Sequence, residues 1–106
     1  MIDFSIYQDF EWDEWNIHKN QEKHRVTVVE CEQIFSDPQK RIFNNLSHST
    51  NKEERFILIG STARGRALYV AFTIRNKRIR VISARDLNRK ERYLYEEKIY
   101  GSKTEE

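Results

Sequence analysis

ALYVAFTIRNKRIRVISA, residues Ala67 to Ala84, has apolar residues at every second position on both sides of Asn76 and Lys77. Such alternation is typical of a half-buried strand, and a two-residue connection joins antiparallel strands into a hairpin. The predicted pairs on the core face are Ile74 with Ile79, Phe72 with Val81 and Val70 with Ser83. Those predicted on the other face are Arg75 with Arg78, Thr73 with Arg80, Ala71 with Ile82 and Tyr69 with Ala84. An antiparallel sheet built on this hairpin is the expected centre of the fold.

Arginines gather on the second face of this hairpin. The segment from Arg75 to Arg92 contains ten Arg, Lys or Asn residues among 18. Like charges directly opposite each other, as predicted for Arg75 and Arg78, destabilise a sheet by roughly 0.2–1 kcal/mol. A bound anion offsets that repulsion, so the pattern predicts an anion-binding site. The alternative is that the charges only keep an edge strand from pairing with other chains.

Two helices are predicted before the hairpin. The first spans WDEWNIHKNQEKH, residues 12–24, with Asp13 as its cap. The second begins in VTVVECEQIF, residues 26–35, where Thr27 and Glu30 have the T-x-x-E spacing of a capping box. Pro38 ends this helix, because a residue that precedes proline disfavours helical geometry.

The remaining elements complete an α+β fold. IDFSIYQDF (2–10), RIF (41–43) and RFILIG (55–60) are predicted strands. DLNRKERYLYEEKIYG, residues 86–101, is a predicted helix that ends at Gly101. The expected architecture is an antiparallel β-sheet with two N-terminal helices and one C-terminal helix packed on it.

Length and composition favour one small domain. The chain has 106 residues, of which 38% are hydrophobic and 34% are charged, so one modest core is expected. We expect residues 1–100 to form a single domain and residues 101–106 to form a flexible tail. Cys31 has no second cysteine for a disulfide or a metal site, and no signal peptide or membrane span is recognisable. These features favour a cytoplasmic protein.

The charges are distributed unevenly, although the formal net charge is only +2. Residues 1–37 contain nine acids and three bases, whereas residues 64–92 contain ten bases and two acids. A basic surface at one end of a small domain is typical of proteins that bind polyanions.

The side chains that could carry chemistry suit a ribonuclease. No metal-ligand spacing, Gly-rich phosphate loop or nucleophile elbow is present, so neither a metal nor a cofactor is expected. RNA cleavage without a metal needs a base for the ribose 2′-OH, an acid for the leaving 5′-oxygen, and cations beside the phosphorane. Candidates upstream of the hairpin are His24, His48, Glu54 and Arg55.

Each of these candidates has a second interpretation or a constraint. His24 is equally suited to cap the first helix, and His48 to be a solvated loop residue. Glu54 and Arg55 are neighbours in a strand, so at most one of them shares the polar face of the hairpin without a bulge. Trp12 and Trp15 are expected to contact the core or a partner rather than to stack on bases.

Four segments carry a family resemblance. FEWDEWNIHKNQEKHRV (10–26), IFSDP (34–38), HSTNKEERFILIG (48–60) and FTIRNKRIRVISARDLNRKERYLYE (72–96) resemble, in order, the motifs of the BrnT toxins of bacterial type II toxin–antitoxin systems. The resemblance implies a ribonuclease with a RelE-like fold. It also implies inhibition by a BrnA-like DNA-binding antitoxin in a two-plus-two complex. The leading hypothesis is an endoribonuclease toxin that acts by 2′-OH attack and produces a 2′,3′-cyclic phosphate and a 5′-OH.

The resemblance also implies which residues form the site. The family's motif residues fall on Trp12, Lys23, His24, His48, Glu54, Arg55, Thr73, Arg75, Arg80, Ser83, Arg85 and Glu91. Catalytic roles are expected for His24, His48, Glu54, Arg55, Thr73, Arg75 and Arg80. RNA contacts are expected from Lys23, Arg78 and Arg85, and supporting roles from Trp12, Ser83 and Glu91. Arg85 and Glu91 are expected to pair with each other.

Two positions depart from the family pattern. Asn16 replaces the usual Lys of the first helix, which removes a possible phosphate contact. Arg25 replaces the Gly that usually follows the His, which either changes the turn between the helices or restores that cation nearby.

Two other functions compete with a ribonuclease toxin. A non-catalytic RNA-binding module needs the same basic face without an aligned acid and base. A small transcription regulator is the third possibility, although no helix-turn-helix or ribbon-helix-helix pattern supports it. In the ribonuclease interpretation, the arginines face RNA phosphates in the free toxin and acidic antitoxin groups in the complex.

Overall fold

The computed structural model of the chain describes residues 9–45, 49 and 53–95. Its elements are α1 (Glu14–His24), α2 (Val28–Phe35), β1 (Arg41–Asn44), β2 (Arg55–Ser61), β3 (Ala67–Arg75) and β4 (Arg78–Asp86). A 3-10 turn follows at Arg89–Glu91, and residues 92–95 are α-helical. The strands form one antiparallel four-stranded sheet in the order β1-β2-β3-β4. The α+β class, the antiparallel sheet and the two N-terminal helices are therefore confirmed.

Two predicted elements lie partly outside the described residues. The C-terminal helix was predicted to begin at residue 86, and this is wrong, because Asp86 is the last residue of β4 and α-helix is described only at residues 92–95. The predicted tail at 101–106 lies outside the described residues. Of the predicted N-terminal strand, only Asp9 and Phe10 are described. Phe10 forms a single parallel bridge with Ile79. The N–H of Ile79 donates to the Asp9 carbonyl at 2.9 Å, and the N–H of Glu11 donates to the Ile79 carbonyl at 2.7 Å. The chain therefore reaches α1 along the outer edge of β4.

Side-chain caps begin both helices where the sequence predicts them. The Asn16 N–H donates to Asp13 Oδ1 at 2.9 Å, and the Asp13 N–H donates to Asn16 Oδ1 at 2.9 Å. Thr27 and Glu30 form the predicted capping box, in which the Glu30 N–H donates to Thr27 Oγ1 and the Thr27 N–H to Glu30 Oε1. The two helices have 11 and 8 residues, and no helix of the described chain is long and apolar enough to cross a membrane.

The two helices cover one face of the sheet. The buried residues of this main core are Val26, Cys31, Ile34, Phe56, Leu58, Leu68, Val70, Phe72, Ile79, Val81 and Ala84. Gly60 allows α2 to lie close to β2, because a Cβ at this position would be 3.1 Å from both Cβ and the carbonyl oxygen of Ile34. The opposite face carries a smaller core of Ile57, Ile59 and Leu87. Partly buried hydrophobic residues, Tyr69 and Ala71 among them, pack against this smaller core, and the end of the same face around Thr73 holds the candidate site.

The central hairpin follows the predicted pairing near its turn and departs from it farther away. Asn76 and Lys77 both have positive φ, at 53° and 62°, as a type I′ turn requires. The predicted pairs that are confirmed are Arg75 with Arg78, Ile74 with Ile79, Thr73 with Arg80 and Phe72 with Val81. The other three are wrong by one residue, because Ala71 pairs with Ser83, Val70 with Ala84 and Tyr69 with Arg85.

A β-bulge causes this shift, with Ile82 as the residue that lacks an opposite partner. Side chains alternate between the faces of a strand, so one extra residue exchanges the faces of all those that follow. Ser83 was predicted on the core face, and this prediction is wrong. Ser83 and Arg85 lie on the same face as Arg80, because their partners on β3 share a face with Thr73.

The turn between the helices contains a strained residue. Arg25 has a φ of 55°, in the left-handed region that glycine enters at no steric cost. The resemblance predicts glycine at this position, and the backbone has the left-handed conformation suited to glycine. Of the two expected consequences of Arg25, a changed turn is therefore not seen.

We expect Arg25→Gly to raise the free energy of unfolding by about 0.5–1 kcal/mol. Left-handed geometry costs a non-glycine residue about 1–2 kcal/mol, and glycine removes this strain. Glycine also has more conformational freedom in the unfolded chain, which cancels about 0.5–1 kcal/mol of that gain in stability. Urea denaturation measures the difference. Arg25→Ala is the control, because it removes the side chain and keeps the strain. A glycine variant no more stable than the alanine variant contradicts the prediction.

Arg66, which precedes β3, holds the turn between the helices against the sheet. Its Nε is 2.6 Å from Asp86 Oδ1, and its Nη1 is 3.0 Å from Glu30 Oε2. The same guanidinium donates to the carbonyls of His24 and Arg25, at 3.1 Å and 2.9 Å. One side chain thus connects the end of α1, the start of α2 and the end of β4.

Candidate functional site

Three predicted site residues lie side by side across the second face of the sheet. Arg55 pairs with Thr73, and Thr73 pairs with Arg80, so these side chains point to the same side of β2, β3 and β4. Thr73 was predicted on a solvent-facing surface, and this is wrong, since only 2% of its surface is exposed. Its Oγ1 donates to the Glu54 carbonyl at 2.7 Å. Thr73 therefore ties two strands together beneath the two arginines.

Arg80 is also less open than predicted. Only 16% of its side chain is exposed, because two carboxylates hold it. Its Nη1 is 2.9 Å from Glu11 Oε1, and its Nη2 is 2.9 Å from Asp13 Oδ2. The solvent-facing position predicted for Arg80 is wrong, because the acidic segment before α1 covers it.

The other two hairpin arginines lie nearer to solvent. The Arg75 side chain is 51% exposed, and its Nη1 is 3.5 Å from Glu11 Oε1, the atom that also binds Arg80. Arg78 is exposed and donates to the Phe10 carbonyl at 3.0 Å. We call Arg75, Arg78 and Arg80 the arginine cluster. Its contacts with residues 10–13 explain how the sheet tolerates like charges in opposed positions.

Asp13 has two structural roles at once. Its Oδ1 caps α1, and its Oδ2 binds Arg80. The hydrogen bond from the Asn16 backbone, together with Arg80, holds the pKa of Asp13 below its usual value. Asp13 therefore remains ionised and couples the start of α1 to the arginine cluster.

The side chains of Glu54 and Arg55 point in different directions, as expected for adjacent residues of an extended chain. Arg55 shares the face of Thr73 and lies 3.3 Å from the Glu53 carboxylate. The exposed Glu54 carboxylate accepts a hydrogen bond from Asn44 Nδ2 at 2.6 Å. The Glu54 side chain is thus engaged with β1, while its carbonyl supports Thr73.

The structure does not bring His24 to the arginine cluster. Asp13 contacts Arg80 at the start of α1, whereas Lys23 and His24 are the last residues of this 11-residue helix. At ~1.5 Å per residue, the two ends are about 16 Å apart. His24 belongs instead to the Arg66 network through its carbonyl. His48 lies outside the described residues, so its catalytic role stays a prediction.

Arg85 and Glu91 form the predicted pair. Arg85 Nη1 and Nη2 donate to the two Glu91 carboxylate oxygens, both at 2.8 Å. Arg85 holds the pKa of Glu91 below its usual value. The Arg85 guanidinium also lies 4.0 Å from the centre of the Tyr69 ring. This residue was predicted to bind RNA, and the structure shows it joined to the 3-10 turn and stacked on β3.

The two tryptophans have different environments. Trp12 packs against the main core and donates from Nε1 to Glu32 at 2.9 Å, so the expected core contact is confirmed. Trp15 is 63% exposed and is not a core residue. Its ring lies 4.8 Å from Lys19 Nζ.

Sequence reasoning missed Glu11 and Asn16. One feature of the sequence could have pointed to Glu11. Acids are in excess before residue 37 and bases are in excess in the hairpin, so contact between the two segments was to be expected. Asn16 is fully buried and donates to the carbonyls of Glu11 and Val81, at 3.4 Å and 3.2 Å. Where the resemblance predicts a lysine, the Asn16 amide therefore fastens the segment of Glu11 to β4.

The described residues contain no group of three or more His, Cys, Asp or Glu side chains placed to hold a metal ion. The site that they do contain is the arginine cluster, with Glu11 and Asp13 on one side and Thr73 and Arg55 on the other.

Comparison with known proteins agrees with the resemblance of the motifs. No curated protein matches the chain. A family model described as ribonuclease toxin, BrnT, of type II toxin–antitoxin system matches residues 12–91, more than half of the chain. This region includes both helices, all four strands and the arginine cluster. The chain therefore belongs to the BrnT family of ribonuclease toxins of type II toxin–antitoxin systems.

Proposed function

We propose that this chain is an endoribonuclease that cleaves RNA by attack of a ribose 2′-OH on the adjacent phosphate, without a metal ion. The products are a 2′,3′-cyclic phosphate and a 5′-OH end. One observation carries the proposal. Nη1 of Arg75 and Nη1 of Arg80 both point at a single carboxylate oxygen, Glu11 Oε1, at 3.5 Å and 2.9 Å. Two guanidinium groups that converge on one oxyanion suit a phosphate equally well.

The residues of the site have separate roles in this proposal. Arg75 has half of its side chain exposed, so it reaches the scissile phosphate without rearrangement of the sheet. Arg80 is held rigidly by two carboxylates and supplies fixed positive charge beside the developing phosphorane. Arg55 extends the basic surface across Thr73. Lys23 and His24 lie at the far end of α1 and form no part of the site that we propose.

The proposal places the chain in a bacterial cytoplasm, in a RelE-like fold, with a BrnA-like antitoxin as its partner. Glu11 and Asp13 already show that carboxylates satisfy the arginine cluster. Acidic groups of an antitoxin bind Arg75 and Arg78 in the same way and keep RNA from the site. Since such antitoxins bind DNA as dimers, a two-plus-two assembly is the stoichiometry that we propose.

Incubation of the purified chain with RNA, with and without EDTA, tests the proposed reaction. We expect cleavage in both samples, with 2′,3′-cyclic phosphate and 5′-OH ends on the fragments. Cleavage that stops with EDTA, or fragments with 5′-phosphate ends, contradicts the mechanism. RNA that is bound tightly and stays intact instead supports the non-catalytic RNA-binding module.

A further inference from the structure

We propose that the Glu11 carboxylate is the general base of the reaction, the group that takes the proton of the ribose 2′-OH. This inference rests on the proposed function, because it assigns a step of that reaction to a residue of the same site. Glu11 lies at the arginine cluster, where its Oε1 contacts both Arg75 and Arg80.

The contacts of Glu11 suit a group that accepts the 2′-OH proton. The hydrogen bonds from Arg75 and Arg80 both go to Oε1, so the proton is assigned to the other oxygen, Oε2. The side chain is 21% exposed, so solvent and substrate reach it. Its backbone is fixed, because its N–H donates to the Ile79 carbonyl and its carbonyl accepts from Asn16 Nδ2. A base held in position by its own backbone loses little entropy when substrate binds.

Other carboxylates near the cluster are less suited to accept this proton. Asp13 uses both oxygens, one for the cap of α1 and one for Arg80, and its pKa is held below the usual value. Glu54 is bound to Asn44 on β1, and Glu53 is bound to Arg55. Among the described residues, Glu11 is the carboxylate that contacts two arginines of the cluster.

The reaction then balances as follows. The 2′-OH proton passes to Glu11 Oε2, and the 2′-oxygen forms a bond to phosphorus. The bond from phosphorus to the 5′-oxygen breaks, and this oxygen leaves with the electron pair and takes a proton from water. Arg75 moves from Glu11 to the phosphate as negative charge develops on it. Glu11 returns its proton to solvent, which regenerates the carboxylate.

Glu11→Gln in the full-length chain tests the inference. Glutamine keeps a carbonyl oxygen for Arg75 and Arg80 and cannot accept a proton, so kcat should fall by about 10²–10³-fold. KM should not rise, because the phosphate no longer competes with a carboxylate for the arginines.

Charged groups that face Glu11 are Arg75 from β3, Arg80 from β4, Arg78 through the neighbouring Phe10 carbonyl, and Asp13 before α1. Of these groups, only Asp13 can lose its charge in the acidic range. If Glu11 is the base, kcat falls at acidic pH as Glu11 becomes protonated, and Asp13→Asn should keep this acidic limb of the pH profile.

The controls separate catalysis from folding. Glu14→Gln removes the same charge from the exposed first turn of α1 and should leave kcat unchanged. The acidic limb of the pH dependence of kcat, the fall in rate as a carboxylate base becomes protonated, should disappear in Glu11→Gln. If Glu11→Gln does not fold, Glu11→Asp keeps the charge and should retain the limb with kcat reduced by about 10-fold.

The outcomes distinguish this inference from the function on which it rests. A Glu11→Gln variant with kcat within about threefold of the parent, or with its acidic limb intact, overturns the role of Glu11. The proposed function stands in that case, provided that the parent chain still produces 2′,3′-cyclic phosphate. A parent chain that produces no cyclic phosphate overturns the proposed function and the inference together.

Discussion

Replacement of Arg75 with alanine should lower the rate of RNA cleavage by about 10²–10³-fold, the usual cost of removing a group that stabilises developing charge. The fold should survive, because the Arg75 side chain is 51% exposed and the ion pair that it forms with Glu11 is 3.5 Å long. Exposed ion pairs contribute about 0–1 kcal/mol. Cleavage rate and urea denaturation, measured on the same preparation, test both parts of the prediction.

Arg64→Ala is the matched control for Arg75→Ala. Arg64 is exposed in the turn before β3, outside the arginine cluster, so the loss of its charge should leave the rate nearly unchanged. Arg75→Lys should recover only part of the activity, because an ammonium group cannot bind a phosphate in the bidentate manner of a guanidinium. Binding of the antitoxin should weaken in Arg75→Ala as well. Near-normal cleavage by Arg75→Ala would remove this residue from the site.

Arg66→Ala should lower the free energy of unfolding by about 2–4 kcal/mol, since hydrogen bonds to charged groups contribute about 1.5–3 kcal/mol each and exposure reduces that contribution. Arg66 binds Glu30 and Asp86 and donates to two carbonyls in the turn between the helices. The Glu30 side chain is 25% exposed and that of Asp86 is 63% exposed, so water compensates Asp86 better than Glu30 when Arg66 is removed. Thermal or urea denaturation measures the loss, and Arg64→Ala, two residues away, is again the control.

The difference between the parent chain and Arg66→Ala should depend on pH in a defined direction. Arg66 holds the pKa of Asp86 below its usual value. A carboxyl with a lowered pKa in the folded state stabilises the fold above its unfolded pKa, near 4, and this contribution is lost as the pH falls through the folded value. The difference should therefore be largest near neutral pH and shrink below pH ~4. A difference that grows on acidification would show that Asp86 is not the partner that matters.

Much of the fold was predictable because its signals are local. Asp13, Thr27 and Glu30 marked the helix starts correctly, since a cap depends on residues three positions apart. Asn76 and Lys77 marked the hairpin turn, because a two-residue loop determines the nearest strand pairs. The alternation of apolar residues identified the core face up to the bulge at Ile82. At Val81 and Ile82 two apolar residues are adjacent and the alternation changes phase, a signal of the extra residue that the predicted register of Ser83 and Arg85 did not use.

The candidate site was predictable in its residues and not in its arrangement. The sequence by itself determined that Arg75, Arg78 and Arg80 share a face near the turn, because strand alternation and the turn leave no other arrangement. The tertiary structure alone decided that Glu11 and Asp13 lie on that face and that His24 lies at the other end of α1. Pairing between residues 69 positions apart in sequence, as between Glu11 and Arg80, depends on how the segment before α1 packs along the edge of β4. Long-range packing of this kind is set by burial and charge pairing summed over the whole molecule, so no short stretch of sequence contains it.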